Sequence, residues 1–380
     1  MAAWCSIERF VVVALMSVFL QGPHEARAEF TRYIFSDTEV GRYQARCLDG
    51  SPSGFFYERG ALNTKWVFYL EGGGLCDSQE TCQSRSHGSL GSSTKWGESF
   101  GGGGLLSNEQ SENNGFYNWN RIYVPYCGGD LHSGQRTQPN EWNVYFSGHL
   151  TIVAIVKQLR VYGGIDNATD ILVSGESAGG IGAFEHVDFF ASEFPKAHVR
   201  GTPQGGYYFP VVGAPQTYQE FVAKQPAPNR TSALFDLYNA SVNAACLAAN
   251  PSSAFQCGPA NLDYMINYLQ TPVFVAENQF DKQQIFERMG CPEKQTAEVE
   301  AYIKYYGELM MAAMAKKVIG SSLGHGLYFP ACLQHTGDLD NPYKTLPIDG
   351  ATYGQALESW YFGTHSYSHV VYENKTMPHC

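Results

Sequence analysis

The chain has 380 residues, of which 44% are apolar or aromatic and only 16% are charged. This profile is typical of a globular protein with a large core and argues against an intrinsically disordered chain. The formal net charge of −11 argues against a nucleic-acid partner, because contacts to phosphates require a basic surface. No proline- or serine-rich linker and no internal repeat interrupts the sequence, so we expect one large domain.

The amino terminus has the features of a secretory signal peptide. Residues 10–20 form an apolar run that is too short to span a membrane comfortably, and Ala26-Arg27-Ala28 resembles a cleavage site. Arg9 is the only basic residue before the run, and a buried amino-terminal helix is the alternative interpretation. We expect a signal peptide at residues 1–28 and a secreted domain at residues 29–380. Four N-x-[ST] sequences are also typical of a secreted glycoprotein, at Asn167, Asn229, Asn239 and Asn374.

The cysteine content predicts an oxidising compartment. Of the ten cysteines Cys5 lies in the expected signal peptide, which leaves nine, and Cys76 and Cys82 form a close pair. Nine is an odd number, so one thiol is unpaired or pairs between chains, and we expect it to be the terminal Cys380. No apolar stretch after residue 28 is long enough to span a membrane, so we expect no stable membrane insertion.

Short apolar runs that end in glycine-rich or polar turns alternate with longer segments of helical periodicity. Continuous apolar runs of this length predict strands that are buried on both faces. Their alternation with helices predicts an α/β fold with a mostly parallel central sheet and helices on both faces. The predicted strands are residues 66–70, 121–126, 171–174 and 272–275, and the predicted helices are residues 150–160 and 296–315.

The most informative motif is the G-x-S-x-G at residues 175–179, which directly follows a predicted strand. A serine at the apex of a sharp strand-to-helix turn needs small neighbours, and the glycines of the motif supply that room. Residues 181–190 can form the following helix, whose positive end would stabilise negative charge near Ser177. This context favours Ser177 as the nucleophile of an α/β-hydrolase-like fold over a purely structural glycine-rich turn.

A second glycine cluster, residues 72–74, follows the predicted strand at residues 66–70. At this place α/β-hydrolases keep a glycine-rich loop whose backbone N–H groups stabilise the oxyanion of the tetrahedral intermediate. We predict that the N–H groups of Gly73 and Gly74, with that of Ala178, form this oxyanion hole. A phosphate-binding loop is disfavoured because no G-K-[ST] follows, and a structural turn is the remaining alternative.

The partners of the serine should follow it along the chain in the order acid, then histidine. Asp281 lies just beyond the predicted strand at residues 272–275, where active-site residues of parallel sheets collect. Among the later histidines we prefer His335, because a disulfide at nearby Cys332 would hold its loop. The alternative acids are Glu277 and Asp263, and the alternative histidine is His325.

Five blocks of the sequence resemble the pectin acetylesterase and Notum family, in the same order and at similar spacing. One is the G-E-S-A-G-G turn around Ser177, and another is C-L-Q-H, which ends at His335. The resemblance covers nearly the whole chain after the expected signal peptide, and it favours His335 over His325. The other blocks are L-E-G-G-G-L-C at residues 70–76, P-Y-C-G-G-D-L-H-S-G at residues 125–134 and F-D-K-Q-Q at residues 280–284.

The resemblance implies a carboxylic ester hydrolase without metal or organic cofactor, with Ser177, Asp281 and His335 as its triad. Pectin acetylesterases remove acetyl groups from polysaccharide, whereas Notum removes a palmitoleoyl group from Wnt proteins. The E-G-G-G and G-E-S-A-G-G blocks and residues 358–362 are closer to the acetylesterase branch. We therefore expect a monomeric enzyme that acts on acetylated polysaccharide, with a Notum-like esterase of acylated protein as the alternative.

Two positions depart from the family pattern. Leu75 stands where the family has a tryptophan after E-G-G-G, and P-Q-G-G-Y-Y at residues 203–208 replaces an aspartate-glycine-aromatic segment. We expect both positions to shape the acyl or sugar pocket.

A protein that is not an enzyme is the other alternative. Such a relative would keep the fold and bind polysaccharide without catalysing a reaction.

Overall fold

The computed structural model describes residues 29–208, 229–288, 291, 293, 296–336, 347–364 and 368–371. The predicted signal peptide at residues 1–28 and the terminal Cys380 lie outside these ranges. Within them, no helix combines the length and the apolar character that a membrane span requires.

In the described ranges, ten strands form a single central sheet. They are β1 (Glu29–Ile34), β2 (Gly54–Glu58), β3 (Leu62–Leu70), β4 (Ser99–Gly101), β5 (Trp119–Val124), β6 (Asp170–Glu176), β7 (His198–Gln204), β8 (Phe274–Ala276), β9 (Gly326–Phe329) and β10 (His369–Val371). The order across the sheet is β10-β9-β8-β7-β6-β3-β5-β2-β1-β4. The strands from β10 to β5 in this order are parallel, and β2, β1 and β4 add an antiparallel edge. The predicted mostly parallel α/β-hydrolase-like fold is confirmed.

The four predicted strands are present as β3, β5, β6 and β8, with shifted ends. Strand β5 ends at Val124 because Pro125 has no N–H group to continue the hydrogen-bond ladder. The other six strands lack a long apolar run. Strand β7, for example, reads HVRGTPQ and is recognisable only from its pairing with β6.

Nine α-helices surround the sheet within the described ranges. They are α1 (Asp37–Tyr43), α2 (Gln79–Arg85), α3 (Gly148–Gln158), α4 (Ala178–Glu193), α5 (Asn229–Tyr238), α6 (Ala244–Ala249), α7 (Leu262–Met265), α8 (Ala297–Met314) and α9 (Tyr353–Phe362). The two predicted helices are present as α3 and α8. Helix α8 begins after Thr296, whose hydroxyl accepts a hydrogen bond from the Val299 N–H at 3.3 Å and so caps the helix.

Both faces of the sheet are covered, as continuous apolar strands require. Phe68 of β3 belongs to a buried cluster with Phe184 of α4, whereas its neighbour Tyr69 belongs to a second cluster with Leu357 of α9. Successive residues of a strand point to opposite faces, so each face needs its own layer of helices. The unbroken apolar run of β3 is therefore the sequence pattern that indicates three layers, with the sheet between two layers of helices.

Disulfides connect several described cysteines, which agrees with the expected oxidising compartment. The predicted close pair Cys76–Cys82 is bonded, and Cys332 is also a half-cystine. The other two bonds are Cys47–Cys127 and Cys246–Cys257. Among the four glycosylation sequences, the side chains of Asn167 and Asn239 are exposed. Asn374 and the side chain of Asn229 lie outside what the structure describes.

Candidate active site

Ser177 occupies the sharp turn between β6 and α4. Its backbone has φ 53° and ψ −119°, a positive φ that is rare for a residue with a side chain. The Ser177 N–H donates to Gln204 O at 2.9 Å, and the Ile181 N–H donates to Ser177 O at 3.0 Å. Helix α4 begins at Ala178, three residues before the predicted start, so its positive end lies directly at the serine.

Gly179 allows this turn to approach strand β3. An added Cβ at position 179 would lie 1.9 Å from the Leu70 carbonyl oxygen, and backbone cannot yield as a flexible side chain would. Gly179→Ala should therefore lower the free energy of unfolding by more than about 3 kcal/mol, measured by urea denaturation. Gly41→Ala in α1 is the control, because no atom lies within 4 Å of a Cβ there. It should stabilise by about 0.5–1 kcal/mol, and equal losses in the two variants would contradict this explanation.

Asp281 and His335 meet Ser177 beyond the carboxyl ends of the parallel strands. His335 Nε2 lies 2.8 Å from Ser177 Oγ, and His335 Nδ1 lies 2.8 Å from Asp281 Oδ2. Asp281 is fully buried, and its Oδ1 accepts from the N–H groups of Gln283 and Gln284 at 2.9 and 3.0 Å. This hydrogen-bond pattern assigns the proton to His335 Nδ1 and leaves Nε2 able to accept the serine proton.

The loop that carries His335 is held at several points. Asn278 Nδ2 donates to His335 O at 3.2 Å, and the Lys282 N–H donates to Gln334 O at 3.3 Å. Cys332, three residues before the histidine, is disulfide-bonded as expected. The loops after β8 and β9 are therefore tied to each other, which fixes the distance between the acid and the histidine.

The two alternative acids have other partners. Glu277 is buried and accepts from the Tyr207 N–H at 2.9 Å. Burial and the adjacent charge of Asp281 raise the pKa of Glu277 well above its ordinary value, which favours the neutral form of this carboxyl group. Asp263 accepts from the Tyr207 hydroxyl at 2.6 Å and pairs with Lys317. Both groups support the segment around Tyr207, and Asp281 is the carboxylate that contacts the histidine.

The alternative histidine, His325, lies away from the serine. It immediately precedes β9, and its Nδ1 accepts from the Val273 N–H, just before β8, at 3.0 Å. These positions are at the amino ends of parallel strands, whereas Ser177 follows the carboxyl end of β6. The geometry therefore offers His335, and not His325, to the serine.

The glycine loop at residues 72–74 follows β3 and lies beside the serine. Gly73 and Gly74 have φ values of 134° and 72°, and Gly74 lines the same cavity as Ser177 and Ala178. The N–H groups of Gly73, Gly74 and Ala178 donate no hydrogen bond to another residue of the described ranges. Donors of this kind beside a nucleophile are what an oxyanion hole requires.

The glycine loop is also held by His132 and Tyr126, whose individual roles the sequence did not predict. His132 Nε2 donates to Glu71 O at 2.9 Å, and Glu71 Oε2 accepts from the Tyr126 N–H at 2.7 Å. Burial lowers the pKa of His132 to about 4, so its ring is neutral and donates through Nε2. The signal for these residues was the block at residues 125–134, whose role becomes visible only from its contacts to Glu71.

A cavity of about 260 Å³ opens at Ser177. Tyr208 lies at this cavity with its hydroxyl 3.4 Å from His335 Nε2, and it belongs to the segment that departs from the family pattern. Within the described part of the chain, no cluster of His, Cys, Asp and Glu side chains is arranged to hold a metal ion. The apolar lining consists of Leu75, Leu131, Ile181, Leu234, Pro259 and Ala260.

The sheet, the serine at the turn after β6, and the acid and histidine after β8 and β9 define an α/β-hydrolase-like protein. A hydroxyl group, a base and free N–H donors in this arrangement are suited to acyl transfer. The chain belongs to the pectinacetylesterase family, a family of carboxylic ester hydrolases, and the family model matches residues 34–380. The resemblance that the sequence blocks predicted is confirmed.

Known proteins from both branches are similar to this chain. Pectin acetylesterase 11 of Arabidopsis thaliana is 29% identical over 378 residues, which cover 91% of this chain and 90% of that protein. The palmitoleoyl-protein carboxylesterase notum1' of Xenopus laevis is 28% identical over 331 residues, which cover 83% of this chain and 64% of that protein. A structure of the Wnt deacylase Notum from Drosophila has the same fold, with a TM-score of 0.78 at 24% identity, covering 93% of this chain and 99% of that chain.

Proposed function

We propose that the protein is a secreted serine carboxylic ester hydrolase, with Ser177 as nucleophile, His335 as base and Asp281 as the third member of the triad. The observation that carries this proposal is the hydrogen-bonded chain from Asp281 through His335 to Ser177, with both distances at 2.8 Å. His335 takes the serine proton at Nε2 as the serine oxygen attacks the ester carbonyl carbon. Asp281 then stabilises the imidazolium ion that forms.

The tetrahedral intermediate carries its negative charge on the former carbonyl oxygen. The Ala178 N–H at the start of α4 and the N–H groups of Gly73 and Gly74 donate to that oxygen. As the intermediate collapses, the bond to the alcohol oxygen breaks, the alcohol takes the proton from His335, and the acyl group remains on Ser177. Water then loses a proton to His335 and attacks the acyl carbon. As this second intermediate collapses, the bond to Ser177 Oγ breaks, the serine oxygen takes the proton back from His335, and the carboxylic acid leaves.

The size of the cavity supports a short acyl group. Its volume of about 260 Å³ is below the range of about 300–1,000 Å³ that is usual for drug-sized ligands. An acetyl group, the one named for the plant relative, needs little of this space. The apolar lining favours a second candidate, a longer acyl chain of the kind named for the Notum relatives.

A second, open groove supports a polysaccharide as the alcohol part of the ester. The groove has a volume of about 520 Å³, and Leu75 lines both it and the acyl cavity. Exposed hydroxyl groups of Thr81, Ser84 and Ser89 line the groove, and hydroxyl groups both donate to and accept from sugar hydroxyls. We therefore favour O-acetylated polysaccharide, of which pectin is one, as the substrate class.

Hydrolysis of p-nitrophenyl esters of rising chain length, together with acetate release from acetylated pectin, tests this function. We expect the enzyme to release acetate from acetylated pectin. For the p-nitrophenyl esters, we expect kcat/KM to decrease about tenfold or more from butyrate to decanoate. A maximum at octanoate or longer, without release from pectin, would favour the Notum-like alternative. If a fluorophosphonate probe failed to label Ser177, the chain would instead be a non-catalytic binding relative.

Leu75→Trp should shift the chain-length preference, because Leu75 lines the acyl cavity. The larger side chain fills space that longer acyl groups need, so we expect kcat/KM for the octanoate ester to fall about tenfold or more and that for acetate to change little. Leu247→Trp is the control, since Leu247 is 39% exposed and lies outside the cavity lining. An equal loss at every chain length would assign Leu75 to the support of the glycine loop instead.

We also propose that residues 1–28 are a cleaved signal peptide and residues 29–380 one catalytic domain. The disulfides at Cys76–Cys82 and Cys47–Cys127 support export to an oxidising compartment. The exposed side chains of Asn167 and Asn239 suit glycan attachment. Mass spectrometry of the protein from the medium of secreting cells tests both statements, and an intact amino terminus would contradict the first.

A further inference from the structure

Arg85, the last residue of α2, reaches back to the glycine loop. Its Nη2 donates to the Gly73 carbonyl oxygen at 2.5 Å, and its Nε donates to Leu90 O at 3.0 Å. Its guanidinium carbon lies 5.1 Å from the centre of the Tyr126 ring, which is itself buried. Three directions of contact therefore hold the guanidinium plane in one orientation.

The contact of Arg85 with the Gly73 carbonyl oxygen also determines the direction of the Gly74 N–H, because both groups belong to the same peptide bond. The bond is trans, so its C=O and N–H groups point in opposite directions. Because the carbonyl oxygen is directed to Arg85, the N–H of Gly74 is directed to the other side of the loop. Gly74 lines the cavity at Ser177, so this other side is the side of the reacting ester.

We propose that Arg85 is a positioning residue for the oxyanion hole, which holds the Gly73–Gly74 peptide so that its N–H faces the tetrahedral intermediate. The proposal rests on the esterase function proposed above. Glycine at both positions leaves the peptide free to rotate, since no Cβ restricts the backbone, and an external contact must therefore select one orientation. The cation also polarises the peptide through its carbonyl oxygen, which makes the N–H a stronger donor.

The position of Arg85 is itself fixed by the fold. Cys82 lies one turn before Arg85 in α2, and its disulfide to Cys76 ties the helix to the end of the glycine loop. The Cys76 N–H donates to Gly129 O at 3.0 Å, which anchors the other end of this bond. The helix, the disulfide and the loop thus form one small unit that places the arginine next to the carbonyl oxygen to which it donates.

Kinetics of Arg85 variants with p-nitrophenyl acetate test the proposal. Arg85→Ala should lower kcat about 10–100-fold, because the donor is misoriented in the transition state. KM should change less than about threefold, because the small p-nitrophenyl group fills little of the groove of about 520 Å³ that Arg85 also lines. Free guanidinium at millimolar concentration should restore part of the kcat of this variant. Arg85→Lys keeps the charge but cannot reach both carbonyl oxygens in the same plane, so we expect an intermediate kcat.

Arg42→Ala is the matched control. Arg42 also lies in the last turn of a seven-residue helix, with its guanidinium carbon 5.3 Å from the centre of the Tyr43 ring, but it is remote in sequence from the glycine loop. Its kcat should equal that of the wild type, with or without guanidinium. The proposal would be overturned if kcat were unchanged in both Arg85 variants. It would also be overturned if a variant with the Tm of the wild type lost kcat and guanidinium did not restore it. A wild-type protein without Ser177-dependent turnover would instead remove the esterase function on which it rests.

Discussion

Ser177→Ala should lower kcat for p-nitrophenyl acetate by about 10⁵–10⁶-fold, the largest effect that we expect from any substitution in this chain. Without the serine oxygen no acyl-enzyme can form, and the neighbouring His335 has no proton to accept. The residual rate would come from the oxyanion donors and from binding alone. The stability of the fold should be nearly unchanged, because only one oxygen atom at the edge of a cavity is removed.

Ser192→Ala, in the same helix that follows Ser177, is the control for this experiment. Ser192 is exposed and its hydroxyl donates only to the Phe189 carbonyl oxygen at 2.8 Å, so its loss should leave kcat unchanged. Turnover in the Ser177 variant within tenfold of the wild type would refute the proposed nucleophile. Retention of activity there would also require another side chain at the cavity to take over the attack.

Asp281→Asn should lower kcat by about 10³–10⁴-fold with little change in the fold. The asparagine carbonyl oxygen can accept the bonds that the N–H groups of Gln283 and Gln284 now donate to Oδ1. Its NH₂ group would then face His335 Nδ1 and donate to it. The imidazole would carry its proton on Nε2 instead, and a protonated Nε2 cannot accept the proton of Ser177.

Glu277→Gln is the comparison for Asp281→Asn, since it makes the same acid-to-amide change in the same buried cluster. Burial and the charge of Asp281 raise the pKa of Glu277 well above its ordinary value, so the uncharged amide resembles the form of the carboxyl group that burial favours. Its carbonyl oxygen can still accept from the Tyr207 N–H. We expect kcat within about tenfold of the wild type, and equal losses in the two variants would mean that the wrong carboxylate has been assigned.

The local features of this protein were readable in the sequence. The apolar run of β3, the glycines around Ser177 and the helix after it depend on neighbouring residues, so their pattern alone predicts a strand, a sharp turn and a helix. The blocks that contain Asp281 and His335 indicated the family, and the match of the family model to residues 34–380 confirms it. Strands without a long apolar run, such as β7, escaped prediction, because only their neighbours in the sheet make them strands.

The contacts that distinguish similar residues became visible only in the tertiary structure. Asp281 and Glu277 are both buried and both follow β8, and they differ in which of them contacts a histidine far along the chain. The contact of Arg85 to Gly73 likewise depends on how a disulfide folds α2 back over the loop. The sequence by itself thus determined the fold class, the family and the turn at Ser177, because these follow from local patterns and short motifs. The family blocks favoured Asp281 and His335, but their contact, like that of Arg85 with Gly73, is seen only in the packed structure, because it joins segments that are separated along the chain.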